Sequence, residues 1–495
     1  MKIQRFLEHH GVLSNPFAEE DAQTDPVFKD HCISGTYHPA WDKVYGEPGE
    51  PATSVVFGEK GAGKTALRLQ IVRHLEEFNR VHPQERQFVI EYDDFNPFLD
   101  RFREKLPSRR RRPDLMLAEW RLWDHMDAIL SLGVTSLVDR VLGQGSHASG
   151  TQRPEVERLD HWQRRDLLLL AAAYDRTLAE PIEGRWRRLA RVLKFSTWTS
   201  QWPIVLGLLV TAAVVAILAA QGAWNQLWSR FPWPYLLVLA GWTPWLWRMW
   251  ASFWPANALQ RHCRVIDHRP WAVSRLLALF PYREIAGQPL PNKDRTDDRY
   301  ELLVKFQSVL RSLGYTGIVV LVDRVDEPHL INGASELMRQ LIWSMLDNKF
   351  LKHPGLGIKL LLPIELGHDV DREERDFYQR ARLDKQNMVP SLNWSGEALF
   401  DVANARLQAC AKDGAKPNIR SLLSDGISER RLIDSFRQLR VPRHLFRFLY
   451  RLLVAHSNAH TNEQPVWQIS PETFESTLAI YLRDQDAFDR GRGAG

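Results

Sequence analysis

An α/β fold is predicted: a parallel sheet with helices on both faces, interrupted by an inserted two-helix apolar hairpin and followed by a C-terminal helical module. Three observations lead there. A short apolar strand, Thr53–Phe57, runs straight into the glycine-rich loop Gly58–Thr65 and then into a helical pattern. A second strand, Gly317–Val322, ends in five consecutive apolar residues, the mark of a central strand buried on both faces, and is followed by Asp323. Between them, from Phe195 to Ser229, there is no charged side chain.

The bulk properties are those of a globular chain. Its 495 residues are 44% hydrophobic and 25% charged, enough for roughly two to four domains. Its 65 basic and 60 acidic residues leave a net charge of +5, too small an excess to imply nucleic acid by itself. Cys32, Cys263 and Cys410 are far apart and form no CxxC pair, so neither a zinc site nor a disulfide framework is indicated. Buried, reduced thiols of a cytosolic domain are expected. Met1–Phe17 mixes Lys2, Arg5, Glu8, His9 and His10 with single apolar residues and does not read as a secretory signal. No internal repeat of fixed period is evident.

The loop Gly58–Thr65 fits the pattern GxxxxGK[ST] without a mismatch. The helix that follows, Ala66–Leu75, puts apolar residues 67, 71, 72 and 75 on one face. Strand, glycine loop and helix are the setting in which this pattern cradles phosphate. Gly58, Gly61 and Gly63 let the backbone approach closely with its N–H groups inward. Glu59, Lys60 and Ala62 complete the loop. The helix start adds partial positive charge. Lys64 would reach the β- and γ-phosphates, and the Thr65 hydroxyl would ligate Mg²⁺.

Pro107–Pro113 is a basic loop carrying Arg109–Arg112, a solvated turn or a contact for anionic lipid or nucleic acid. Pro203–Ala220 is an unbroken apolar run, and about 20 residues are needed to cross a bilayer. Residues 231–247 form a second run, weakened by Pro232, Pro234 and Pro244. Many of the 19 tryptophans crowd between Trp198 and Trp254, as rings at headgroup level do. Arg185, Arg187, Arg188, Arg191 and Lys194 precede the hairpin, and Arg248, Arg261, Arg264 and Arg269 follow it. The connection at Gln221–Arg230 has only Arg230. The positive-inside rule then places both flanks in the cytosol. A buried helical hairpin is the alternative. Neither run carries an ionisable residue in its core that would mark a transport pathway, although an oligomer could build one.

Beyond the hairpin, Asp323 at its strand end is expected to hold Mg²⁺ through water. Asp326 or Glu327 would orient or deprotonate the attacking water. Gln87–Tyr92, Gly357–Pro363 and the shorter Asn387–Leu392 read as further strands of the same sheet. Ligands bind beyond the carboxyl ends of such strands, where Gly58–Thr65 and Asp323 both fall. Glu365, just past one of them, is placed to sense the γ-phosphate. Residues 428–453 read as helical, with Pro442 at a helix start. Arg443, Arg447 and Arg451 share a face there, and Arg443 is the candidate for reaching the γ-phosphate.

The divisions that follow are residues 1–194 and 256–410 for the two parts of the sheet domain, 195–255 for the hairpin and 411–495 for the helical module. The glycine loop at 58–65, the acidic strand end at 318–327 and the hairpin between them resemble the KAP-type P-loop NTPases. That family belongs to the additional-strand division, which also holds the AAA+ and STAND ATPases. Its late Pro-Arg helix is matched by Pro442-Arg443. Asn15-Pro16-Phe17 and the Trp394, Leu399, Arg406 stretch are similar to bacterial ATPases of the origin-recognition type. The resemblance spans roughly residues 15–455. It implies ATP and Mg²⁺ as ligands and a cytoplasmic NTPase domain on a bacterial inner membrane, with both termini inside. It also implies roles in signalling, membrane-associated assembly or phage exclusion. One departure stands out: the family usually has a second acid after the strand-end Asp, and this chain has Arg324. Three functions therefore compete: an ATPase whose cycle drives conformational change or assembly, a nucleotide-gated scaffold with negligible turnover, and a nucleic-acid-associated ATPase.

Overall fold

The computed structural model describes residues 1–489 apart from 34, 145–155, 178–179, 223, 225, 227–232, 374–376, 378–380 and 384–385. Strand β1 (Ser54–Gly58) leads into helix α1 (Lys64–Val81), and β2 (Arg86–Tyr92) follows. A long insertion carries the chain to β3 (Tyr315–Val322), then β4 (Leu356–Pro363) and the short β5 (Asn387–Val389). The five strands form one all-parallel sheet in the order β2-β3-β4-β1-β5. Its register sets Val56 beside Leu361, and Val320 beside both Ile90 and Ile358.

Alternation along these strands divides the core, since successive side chains point to opposite faces. Val55 and Phe57, with Val320, Val322, Leu360 and Leu362, join the large core beneath the insertion. Val56, Val319, Leu321 and Leu361 face α1, meeting its Leu67, Ile71 and Leu75. The sequence predicts β5 to reach Leu392, but the strand stops at Val389. Pro390 has no N–H for the ladder. The chain rejoins β1 only through the Leu392 N–H, which donates to the Phe57 carbonyl at 2.9 Å.

The insertion between β2 and β3 opens with two shorter helices, Asn96–Lys105 and Pro113–Leu117, before α2 (Leu122–Leu142) and α3 (His161–Tyr174). Helix α4 (Trp202–Gln221) and helix α5 (Trp233–His262) then form the apolar hairpin, and α6 (Asp297–Ser312) returns to β3. On α2, Gly133 is pressed against the sheet: a Cβ there would lie 2.8 Å from Ile90 and 3.0 Å from Phe306. Arg299 of α6 and Asp127 of α2 form a fully buried ion pair at 3.0 Å.

Among the described residues, α4 is the one helix long and apolar enough to cross a membrane by length and composition. The second run behaves differently from its predicted bounds. Phe231, Pro232 and the tip residue Arg230 lie outside the described residues. From Trp233 the helix continues past Trp247 and Arg248 to His262, accommodating Pro244 and Pro255 within it. The two helices touch through small residues. A Cβ on Gly207 would sit 2.7 Å from the Trp242 ring, and one on Gly241 would sit 2.7 Å from Val210. The Trp242 indole N–H donates to the Thr211 hydroxyl at 3.1 Å. Their outer faces, including Leu208 and Leu209, are exposed. Arg248 fixes the base of the hairpin, donating to the Ser200 carbonyl at 2.7 Å and to the Phe280 carbonyl.

Helices α7 (Gly396–Ala409), α8 (Glu429–Leu439), α9 (Pro442–Ala459) and α10 (Pro471–Asp489) build a separate helical core. Phe6, Leu7, Val12 and Phe17 from the start of the chain are buried in that same core. Arg406 ties the two ends together, donating to the Pro16 carbonyl at 2.7 Å and pairing with Asp25 at 2.6 Å.

Candidate functional site

The glycine loop lies at the carboxyl end of β1 and is closed by its own conformational demands. Gly61 and Gly63 hold φ of 89° and 92°, a region that L side chains rarely enter. A Cβ on Gly61 would meet the Arg443 Cβ at 2.6 Å. Gly63 caps α1 without a side-chain bond, so the first-turn N–H groups of the helix face the loop as partial positive charge. The loop's outer side is held by the C-terminal module. The Trp394 indole donates to the Ala62 carbonyl at 2.9 Å, and the Arg443 N–H donates to the Gly61 carbonyl at 3.4 Å.

Lys64 folds back over the loop and donates to the carbonyls of Gly58 at 2.8 Å and Glu59 at 3.1 Å. Burial lowers the pKa of its ammonium from the usual lysine value, while the charges of Asp323, Asp326 and Glu365 act in the opposite direction. Thr65 donates its hydroxyl to Asp323 Oδ2 at 3.0 Å. The sheet order explains this meeting of residues 258 positions apart: β4 alone separates the strand before the loop from the strand before Asp323. Asp323 is 1% exposed, and burial raises its carboxyl pKa against the opposing pull of Arg68 and Thr65.

Arg68 is the residue that sequence reasoning missed. It is 2% exposed, and its Nε lies 3.4 Å from Asp323 Oδ2. Its Nη1 pairs with Glu91 at 2.7 Å and Asp93 at 2.5 Å, both at the end of β2. One cation on α1 thus links the ends of β2 and β3. Its position one helical turn after Lys64 is the only hint the sequence offers.

Arg324 takes φ of 60° immediately after Asp323. It lines the cleft beside the loop, donating to Gln23 at 2.8 Å and pairing with Glu327 at 2.7 Å. Asp326, Glu327 and Arg443 line the same cleft as Lys60–Leu67 and Asp323. The cleft measures about 1240 Å³ including its open mouth. N-terminal residues that carry no sequence motif, Glu20, Asp21 and Asp25, also line it. Glu365 is exposed in the first turn of the helix after β4 and is not part of the lining.

The arginine face of α9 divides. Arg447 pairs with Glu20 at 2.6 Å and Arg451 with Asp484 at 3.1 Å. The Arg443 Nε is buried beside the loop without a hydrogen-bond partner. The basic loop is similarly occupied within the molecule. Arg110 pairs with Glu119, Arg112 with Asp114 at 3.3 Å, and Arg111 donates to the carbonyls of Glu104 and Leu106 at 3.0 Å.

Thr65 and Asp323 present hard oxygen donors of the kind Mg²⁺ takes. Among the described residues no group of three or more His, Cys, Asp and Glu side chains stands ready for a metal. An ion here would therefore draw its remaining ligands from phosphate and water. In comparisons with known proteins, no family model, no curated protein and no solved structure matches the chain.

Proposed function

We propose that this chain is a membrane-anchored P-loop ATPase of the KAP type, which binds ATP with Mg²⁺ in the cleft and hydrolyses it. The observation that carries this reading is the convergence of Lys64, Thr65 and Asp323 beneath a loop whose Gly61 and Gly63 adopt positive φ. The place of β4 between β1 and β3 gives further support, because it sets the ends of those strands close enough for Thr65 to meet Asp323.

In this reading Lys64 exchanges its two carbonyl partners for phosphate oxygens, and the start of α1 faces the same charge. The unpartnered Arg443 Nε supplies a donor to the terminal phosphate. Mg²⁺, held by Thr65 and by Asp323 through water, would neutralise charge on the phosphates. Asp326 is the favoured base, since Glu327 is engaged by Arg324. The hairpin anchors the cytoplasmic domain to a bacterial inner membrane through residues 203–220 and 231–247. Turnover then drives a conformational or assembly change there, of the sort used in signalling or phage defence.

One observation favours a second reading, a nucleotide-gated scaffold with negligible turnover. Arg324 replaces an acid and neutralises Glu327. ATP turnover by the detergent-solubilised protein, with Lys64→Ala as control, decides between them. Hydrolysis lost in Lys64→Ala supports the ATPase. Tight ATP binding with background turnover supports the scaffold, and equal rates for both proteins reject the ATPase reading. Recovery of all the protein in the soluble fraction after membrane fractionation would remove the anchor.

A further inference from the structure

Exposed tryptophan is unevenly distributed over this molecule. Among the described residues, every tryptophan more than half exposed lies around the base of the hairpin, apart from Trp224 at the far end of α4. Trp198 and Trp202 stand where the chain enters α4. Trp250 and Trp254 lie on α5 beyond Arg248, on the side of the sheet domain. At that level the opposite face of α5 is packed into the core through Ala256 and Leu259.

Two members of the ring come from elsewhere in the fold. Trp271, in the helix Pro270–Leu277, follows a segment that returns to the hairpin, and its ring lies 5.2 Å from Phe253 of α5. Trp162, in the first turn of α3, adjoins His161, whose ring stacks on Phe195 at 5.6 Å just before the hairpin. Phe195 in turn contacts Phe280, whose carbonyl receives Arg248. Exposed cations accompany the indoles: Arg187 and Arg191 before the hairpin and Arg269 beside Trp271.

An indole has an apolar body and one N–H donor, and it is most at home at the boundary between hydrocarbon and water. Basic side chains near an anionic leaflet are attracted to it. We infer that the ring containing Trp162 and Trp271 seats the sheet domain directly on an anionic lipid headgroup layer. The catalytic domain is then held against the bilayer by its own helices and not only tethered by the hairpin. This inference rests on the proposed membrane anchoring.

Its test uses the full chain in phosphatidylcholine vesicles containing phosphatidylglycerol. Tryptophan emission is quenched from the lipid side by dibrominated phosphatidylcholine and from the water side by iodide. Trp162→Phe and Trp271→Phe are each expected to lower the lipid-quenched emission and leave the iodide-quenched emission unchanged. Omitting phosphatidylglycerol should shrink that loss, and a loss that persists unchanged overturns the role assigned to charge. Loss from the iodide-quenched portion would place these rings in water and overturn the inference. Loss from neither portion would bury them against a second copy and overturn it equally. In both of those cases lipid quenching of the remaining tryptophans keeps the anchor standing. Absence of all lipid quenching removes the anchor as well.

Discussion

Replacing Gly61 by alanine isolates what the loop's geometry demands. The added Cβ would stand 2.6 Å from the Arg443 Cβ, about 1 Å inside ordinary carbon contact. Relief requires α9 or the loop itself to move. Such overpacking costs typically about 1–3 kcal/mol. The residue must also keep a φ of 89°, and left-handed backbone costs an L residue roughly 1–2 kcal/mol. The sum, roughly 2–5 kcal/mol, is to be measured as a lowered thermal midpoint and weakened ATP binding in detergent. The partner substitution separates the two parts. Arg443→Ala keeps the Cβ at 2.6 Å and relieves only the lesser approaches of Cδ at 3.1 Å and Cγ at 3.3 Å, so it should restore little, whereas Arg443→Gly removes all three and should recover the steric part. Nucleotide affinity stays low in both double variants, because Arg443 is lost and the φ strain remains. A Gly61→Ala protein with wild-type midpoint and affinity would refute the reasoning, as would equal rescue by Arg443→Ala and Arg443→Gly.

Arg324→Asp restores an acid after Asp323 and releases Glu327 from its 2.7 Å pair; a rise in turnover of tenfold or more is expected, and an unchanged rate in an active enzyme would show that Arg324 is no brake. His125 is fully buried between Tyr92 and the Leu341 carbonyl, and burial lowers its pKa from 6.5 to about 4. The unfolded chain therefore binds the extra proton first, and stability present above pH 6.5 is lost as pH falls toward 4. At about 1.4 kcal/mol per unit this loss approaches ~3 kcal/mol, and thermal midpoints against pH should show a slope in that window that His125→Asn reduces.

Much of the site was legible because its chemistry is written locally. Gly58–Thr65 needs a strand before it and a helix after it, and both are encoded within a few residues of the loop. The apolar run before Asp323 marks a central strand for the same reason: burial on both faces leaves no polar positions. The end of β5 was less legible, because hydrophobicity continues to Leu392 while the ladder breaks at Pro390 and only the Leu392 N–H rejoins β1. The second apolar run was similarly ambiguous. Its helix extends to His262 because Ala256, Leu259 and Cys263 are taken up by the main core, a contact no local pattern reveals.

The sequence by itself determined the four longer strands, the glycine loop after β1, the acid at the end of β3 and the apolar character of the hairpin. Each follows from short-range periodicity or from a residue type that its backbone conformation requires. Only the tertiary structure decided which charges meet. It paired Arg447 with Glu20 and Arg451 with Asp484 while leaving Arg443 against the glycine loop, and it set Arg68 between Asp323 and the acids of β2. It also turned Arg324 onto Glu327 and folded the N-terminal segment onto the C-terminal module. The physical reason is that buried charges must find opposite charges across the packed sheet and helices, whatever their separation along the chain.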